Sequence, residues 1–182
     1  MKTEATKQKI QETFFSLSHT MPMKKITVSK LCQACQISRS TFYLHYDNVE
    51  GLIDDLEKEL LYRIEKLFKK EQHIPLEELE NQTFFHLLTY IDSHLSELQF
   101  LIHKQNGTEF IAKLSTIIEG NLSNRLQILG YPTQTYQTAV SFASSGILNL
   151  IILQIKQIQP ENKQTICLIY NQLLHAIFQT HT

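Results

Sequence analysis

Glycine and proline are rare in this chain, five and four of 182 residues. So few chain-breakers leave little room for a turn-dense architecture, and apolar residues recur mostly at helical spacing, which predicts an all-α protein. Cysteine is rarer still: three, an odd number, in a sequence that opens on the polar stretch MKTEATKQKIQETFF. That opening reads as an amphipathic helix and not as a secretory signal, so a cytoplasmic location is expected and a disulfide framework is not. No apolar run is long. ILNLIILQI at 147–155 is broken by Asn149 and Gln154 and is far shorter than the roughly 20 residues that cross a bilayer, so no membrane partner is expected. A glycine-rich phosphate loop, a G-x-S-x-G elbow and an H-E-x-x-H motif are also missing, so neither an enzyme nor a bound cofactor is expected.

What is present fits a packed interior: 42% of residues are apolar, within the globular range. The overall charge of −1 hides an asymmetry. Residues 1–46 hold seven Lys and Arg against two Glu, a net +5, while residues 47–182 hold ten basic and sixteen acidic residues, a net −6. A basic end on an acidic body suits a head that binds a polyanion.

A first helix is predicted over about 3–19, with Ile10, Phe14 and Leu17 as its apolar stripe. After MPMKKIT, Thr27 is the expected N-cap of a second helix reaching about Cys35, and Ser38 the cap of a very short third. Asp47 with Glu50 suggests a capping-box start for a long fourth helix to about Gln72, with Leu52, Leu56, Leu60, Ile64 and Leu67 on one side and HIP at 73–75 ending it. Further helices are predicted over 78–94, 96–104, 108–129, 133–157 and 161–179, divided by Asn106-Gly107, Gly130-Tyr131-Pro132 and Gln159-Pro160.

The C-x-x-C formed by Cys32 and Cys35 invites a metal or redox reading. A structural zinc site needs two more ligands at suitable spacing, and a thioredoxin-like motif needs a strand before its helix; neither is present. The two thiols are expected to be small buried side chains on one helix face.

TVSKLCQACQISRSTFYLHY then reads as a short helix, a tight turn and a second short helix that begins with polar residues and an Arg. That is the layout of a helix-turn-helix, whose second helix enters the major groove by its N-terminal end. Thr27, Leu31, Ala34, Ile37, Ser38, Thr41, Phe42, Tyr43, His45, Tyr46 and Leu52 fall in register with the pattern of one family, which the segment resembles: the tetracycline-repressor (TetR) family of transcriptional regulators. Cys32 and Cys35 stand where that family has alanine, Gln36 where it has a turn glycine, and Val49 where it has a lysine that commonly contacts phosphate. The resemblance implies a helix-turn-helix DNA-binding domain over 1–48, joined by the long fourth helix to a helical ligand-sensing and dimerisation domain over 49–182.

On this expectation Phe42 and Tyr46 face inward, and Ser40, Thr41, Tyr43 and Leu44 face double-stranded DNA, with Ser38 and Arg39 at the leading end. Arg39 is the candidate for a guanine edge and Leu44 for a thymine methyl. Tyr43, His45, Thr27 and Lys30 correspond to phosphate-contacting positions of the family. One head reads few base pairs, so a homodimer on a near-palindrome is implied. The candidate seam is Phe142, Gly146, Leu150 and Leu153 on the eighth helix with Ile166, Ile169, Leu173 and Ile177 on the ninth. A small organic ligand is also implied, for which His86, Tyr90, His94, His103 and Tyr136 are candidates; the alternative for each is an exposed or locally satisfied side chain. His86 and His94 lie two turns apart, too far to chelate one ion alone, so no metal is expected. The functional expectation is a dimeric repressor released by that ligand. The alternative is a TetR-like co-activator or interaction module that binds no specific DNA site itself.

Overall fold

The computed structural model describes residues 2–70, 82–103, 107–131, 133–158 and 162–178. Among them there are nine α-helices and no strand, so the all-α expectation holds. The predicted helix start at 78–81, the HIP stop at 73–75 and the Gln159-Pro160 break lie outside the described residues, as does Pro132. The chain divides into two compact units, Met1–Leu60 and Leu61–Thr182.

The N-terminal unit holds α1 (Lys2–Thr20), α2 (Val28–Cys35), α3 (Arg39–Tyr43) and the first turns of α4 (Val49–Lys70). Ile10 and Phe14 of α1 are fully buried and Leu17 partly so, which is the predicted stripe. Pro22 turns the chain into a short 3-10 turn at Met23–Lys25. Thr27 is extended and its side chain accepts a hydrogen bond from the Lys30 amide, so it caps α2 as expected. Ser38 caps α3 in the same way through the Thr41 amide, at 3.0 Å. The cap of α4 is not Asp47. Asn48 Oδ1 accepts the Gly51 amide at 2.7 Å, because Asn48 is the residue three before a first-turn N–H that needs a partner.

Between α2 and α3 the chain must reverse within three residues, and Gln36 does this in the left-handed region, φ 55° and ψ 45°. Its amide bonds to the Gln33 carbonyl and the Ile37 amide to the Cys32 carbonyl, which is a Schellman motif. Gly130 (φ 82°) and Gln157 (φ 53°) end α7 and α8 with the same pair of bonds. Glycine occupies only one of these three left-handed caps; each glutamine costs about 1 kcal/mol relative to it.

Phe42 and Tyr46 are buried and their rings lie 5.9 Å apart. Tyr46 is further fixed from α4. Asp55 Oδ2 accepts its hydroxyl at 3.0 Å, Lys7 Nζ at 2.8 Å and Gln11 Nε2 at 3.4 Å. One carboxylate oxygen therefore ties α1, the chain just after α3, and α4. Burial and the nearby Asp55 charge push the Tyr46 phenol well above its usual range, and the hydrogen bond to Asp55 raises Lys7 against a smaller opposing effect of burial.

The C-terminal unit is built from α5 (Gln82–Ser93), α6 (Leu95–His103), α7 (Gly107–Ile128), α8 (Thr133–Ile155) and α9 (Lys163–Phe178), together with the later turns of α4. The α7–α8 pair is its most extensive contact. Phe110, Leu114, Ile118, Leu122 and Leu126 from α7 and Tyr136, Val140, Ala143, Ile147, Ile151 and Ile155 from α8 are buried at helical spacing. By length and composition alone the stretch Tyr136–Ile155 suffices to cross a membrane, and it contains the apolar run at 147–155. Its buried stripe is what a packed core helix shows.

Two polar ties stitch this unit. Asp92 on α5 accepts from Gln154 Nε2 of α8 and pairs with Lys163 Nζ of α9, both at 2.5 Å. Gln99 Nε2 of α6 donates to the Ile155 carbonyl at 2.8 Å, satisfying an orphan acceptor at the end of α8. Phe84 stacks on Tyr170 at 4.3 Å, and burial pushes the neighbouring Cys167 thiol up to about 11. Where α7 begins, Gly107 allows a close approach, since a Cβ there would lie 2.0 Å from the Ile102 carbonyl oxygen.

Gly107→Ala is expected to destabilise the protein by about 1–3 kcal/mol through overpacking, while Gln36→Gly and Gln157→Gly each stabilise by about 0.5–1 kcal/mol by relieving the left-handed caps; urea unfolding of the three variants checks both signs. The raised Lys7 and Tyr46 values mean that the folded state holds these two protons more tightly than the unfolded chain. Their contribution is complete below the unfolded values of about 10 and is lost as pH rises through the folded ones. The urea midpoint should therefore hold from neutral pH to about 9 and fall beyond about pH 10, less steeply in Tyr46→Phe. An alkaline limb of equal slope in both proteins contradicts this account.

Candidate nucleic-acid interface

The helix-turn-helix presents a narrow edge. Burial of Phe42 and Tyr46 on one side of α3 turns the opposite side to solvent, where Tyr43 is 54% exposed and Leu44 82% exposed. Arg39 and Ser40 are also exposed. Thr41 is half-buried, and its hydroxyl lies 2.8 Å from Ser38 Oγ. Ser38 Oγ also meets Ser40 Oγ at 2.7 Å, so the three hydroxyls form a closed cluster at the start of the helix.

Thr27 and Lys30 are exposed at the first turn of α2, and His45 is half-buried with its ring 6.3 Å from that of Tyr46. The Lys30 ammonium lies 4.0 Å from the Met21 sulfur. Cys32 and Cys35 are buried, as expected of small core side chains, with their sulfurs 3.8 Å from the carbonyl oxygens of Ser38 and Lys9. Burial raises the Cys32 thiol, which lowers its value as a nucleophile or ligand. Val49 is buried, so the first turn of α4 offers no cation where the resembling pattern has lysine.

Three features of this face escaped the sequence reading. Arg39 Nη2 donates to Ser29 Oγ of α2, the Tyr46 hydroxyl donates to Asp55 Oδ2, and Gln11 Nε2 of α1 donates to the same oxygen. Hydrogen bonds across helices leave no local spacing signal in the sequence.

The ligand candidates are placed as follows. The Tyr90 and His94 rings lie 4.2 Å apart, and His94 Nδ1 is within 2.9 Å of Ser93 Oγ and 3.0 Å of the Tyr90 carbonyl. His86 and His103 are exposed, and His103 Nδ1 lies 2.7 Å from the Gln99 carbonyl. Tyr136 is buried among Leu122, Leu126, Val140 and Ala143, edge-on to Tyr131. A buried cation, Arg125, was not anticipated; its charge partly offsets the rise that burial imposes on the Tyr170 phenol.

Of the seam candidates, Phe142 is 71%, Leu173 53% and Ile169 44% exposed, and Gly146 is exposed. Leu150 and Leu153 are half-buried. Ile166 is 4% exposed and is already covered by its own chain, so it has little surface left for a partner. The side chain of Ile177 lies outside the described residues. Leu168 on α9 is a further exposed apolar side chain, 50% open to solvent.

No protein-family model matches the sequence, and no curated protein matches it. Solved structures do. The dihydroxyacetone kinase operon activator DhaS superposes with a TM-score of 0.67 at 16% identity, over 96% of this chain and 94% of that one. A transcriptional regulator from Aquifex aeolicus VF5, described as TerR/AcrR family, superposes with a TM-score of 0.64 at 20% identity, over 95% of this chain and 99% of that one. The chain has the all-α, TetR-like fold of these transcriptional regulators.

Proposed function

We propose that the chain is a dimeric DNA-binding transcriptional regulator of the cytoplasm, a repressor that reads a near-palindromic operator through α2 and α3. The observation that carries this reading is the solvent-facing edge of α3, Arg39, Ser40, Tyr43 and Leu44, held outward by the burial of Phe42 and Tyr46. Arg39 supplies a guanidinium for guanine O6 and N7, and Leu44 an apolar contact for a thymine methyl. Thr27, Lys30, Tyr43 and His45 meet phosphates and set the register. The net +5 of residues 1–46 supplies the long-range attraction.

The exposed apolar groups Phe142, Ile169 and Leu173 support a second copy as the partner of α8 and α9. A small organic effector that binds the C-terminal unit would release the operator by no more than its differential affinity for the two states. The resemblance to known regulators, none of them an enzyme by its description, fits a protein without catalysis of its own.

A second reading has one observation in its favour. Val49 is buried where the resembling pattern offers a phosphate-binding lysine, which weakens the docking set and suits a co-activator or interaction module. Salt-dependent retention on random duplex DNA, followed by operator selection from a random library, separates the two. On the selected operator, Arg39→Ala should cost about 1–3 kcal/mol and relax preference at one base step, while Lys30→Ala should weaken all sequences and reduce the salt slope by about one. Unchanged binding by both variants removes the assignment. Sedimentation at micromolar concentration should give the dimer mass, reduced to the monomer's in Phe142→Glu with Leu173→Glu.

A further inference from the structure

Ser29 sits in the first turn of α2, two residues after the Thr27 cap, and is exposed. Its hydroxyl oxygen accepts a hydrogen bond from Arg39 Nη2, ten residues on and across the turn at the start of α3. A second sign agrees with that placement. Cys32 lies three residues after Ser29 on α2, and the Arg39 charge opposes the rise that burial imposes on its thiol. The guanidinium therefore lies along the Ser29 and Cys32 face of α2, where an exposed Arg could otherwise sample many rotamers.

The chemistry of the contact matters for what Arg39 can still do. A guanidinium carries five N–H donors in one plane and accepts nothing. Ser29 takes one of them. Four remain, and a two-pronged grip on guanine O6 and N7 needs two from one edge of the plane. Fixing Nη2 from the α2 side thus orients the fork without using it up. Loss of rotamer freedom that would otherwise occur on binding has already occurred in the free protein, and that favours the correct base over arrangements reached by a wandering side chain.

We infer that Ser29 is a positioning residue for sequence discrimination: it holds the Arg39 guanidinium for base reading and does not itself read a base. The inference rests on the assignment of Arg39 to a base edge under the proposed function. It accounts for a polar contact that neither helix needs for its own capping, since α2 is capped by Thr27 and α3 by Ser38.

The test uses the full-length protein, the operator selected from a random library, and single-base variants at the step where Arg39→Ala loses preference. Ser29→Ala should reduce discrimination at that step about three- to tenfold, a coupling of the size neighbouring residues show. Ser29→Thr, which keeps the hydroxyl, should restore it. The salt slope should not change, because no phosphate contact is lost. In the Arg39→Ala background, Ser29→Ala should have no further effect on that step. Two outcomes overturn the inference: full discrimination in Ser29→Ala where Arg39→Ala has lost it, or a uniform loss over all sequences with a shallower salt slope, which makes Ser29 a phosphate contact. Full discrimination at every position in Arg39→Ala is a different failure, of the base-reading assignment, and removes the inference with it.

Discussion

A single carboxylate oxygen, Asp55 Oδ2, holds the geometry of the N-terminal unit. It accepts from Lys7 and Gln11 on α1 and from the Tyr46 hydroxyl just beyond α3. Without it the phenol of Tyr46 would be desolvated with its best acceptor gone, and a buried polar group left unpaired costs about 1–3 kcal/mol. The arrangement also fixes direction. Because Tyr46 and Phe42 are drawn inward together, Tyr43 and Leu44 have nowhere to go but outward. The compact unit Met1–Leu60 takes in the first turns of α4.

A helix of five residues has no independent stability, since nucleation costs more than one turn returns. What makes α3 a helix is its surroundings. Ser38 caps it, the left-handed Gln36 aims it, and the buried Phe42 seals it, a burial that contributes about 1.5–3 kcal/mol. Held at both ends, the short helix projects its exposed side chains in directions set by the core. The extra tie between Arg39 and Ser29 extends the same logic to one side chain.

The C-terminal unit solves a different problem. Its long helices bury apolar stripes against one another, and polar side chains join them at junctions: Asp92 links three helices and Gln99 completes the end of α8. Phe142, Ile169 and Leu173 remain outside this core, on helices whose other faces are well packed. An apolar face left over after the core is satisfied is the physical basis for proposing a second subunit there, and the burial of Ile166 marks where the intrachain core ends and that face begins.

Local chemistry alone determined much of this protein. Periodicity located the helices, and Thr27 and Ser38 announced their caps, because a hydroxyl before a helix acts on its own first turn. The helix-turn-helix, the inward Phe42 and Tyr46 and the buried cysteines followed from residues within a few positions of one another. The structure moves the cap of α4 from Asp47 to Asn48, a local adjustment, but only the tertiary structure decided that Ile166 is interior. The same holds for the Asp55 and Asp92 junctions and for Ser29 beneath Arg39. These depend on which side chains from distant segments reach the same few ångströms, and hydrogen-bond partners across helices leave no period in the chain for a reader to find.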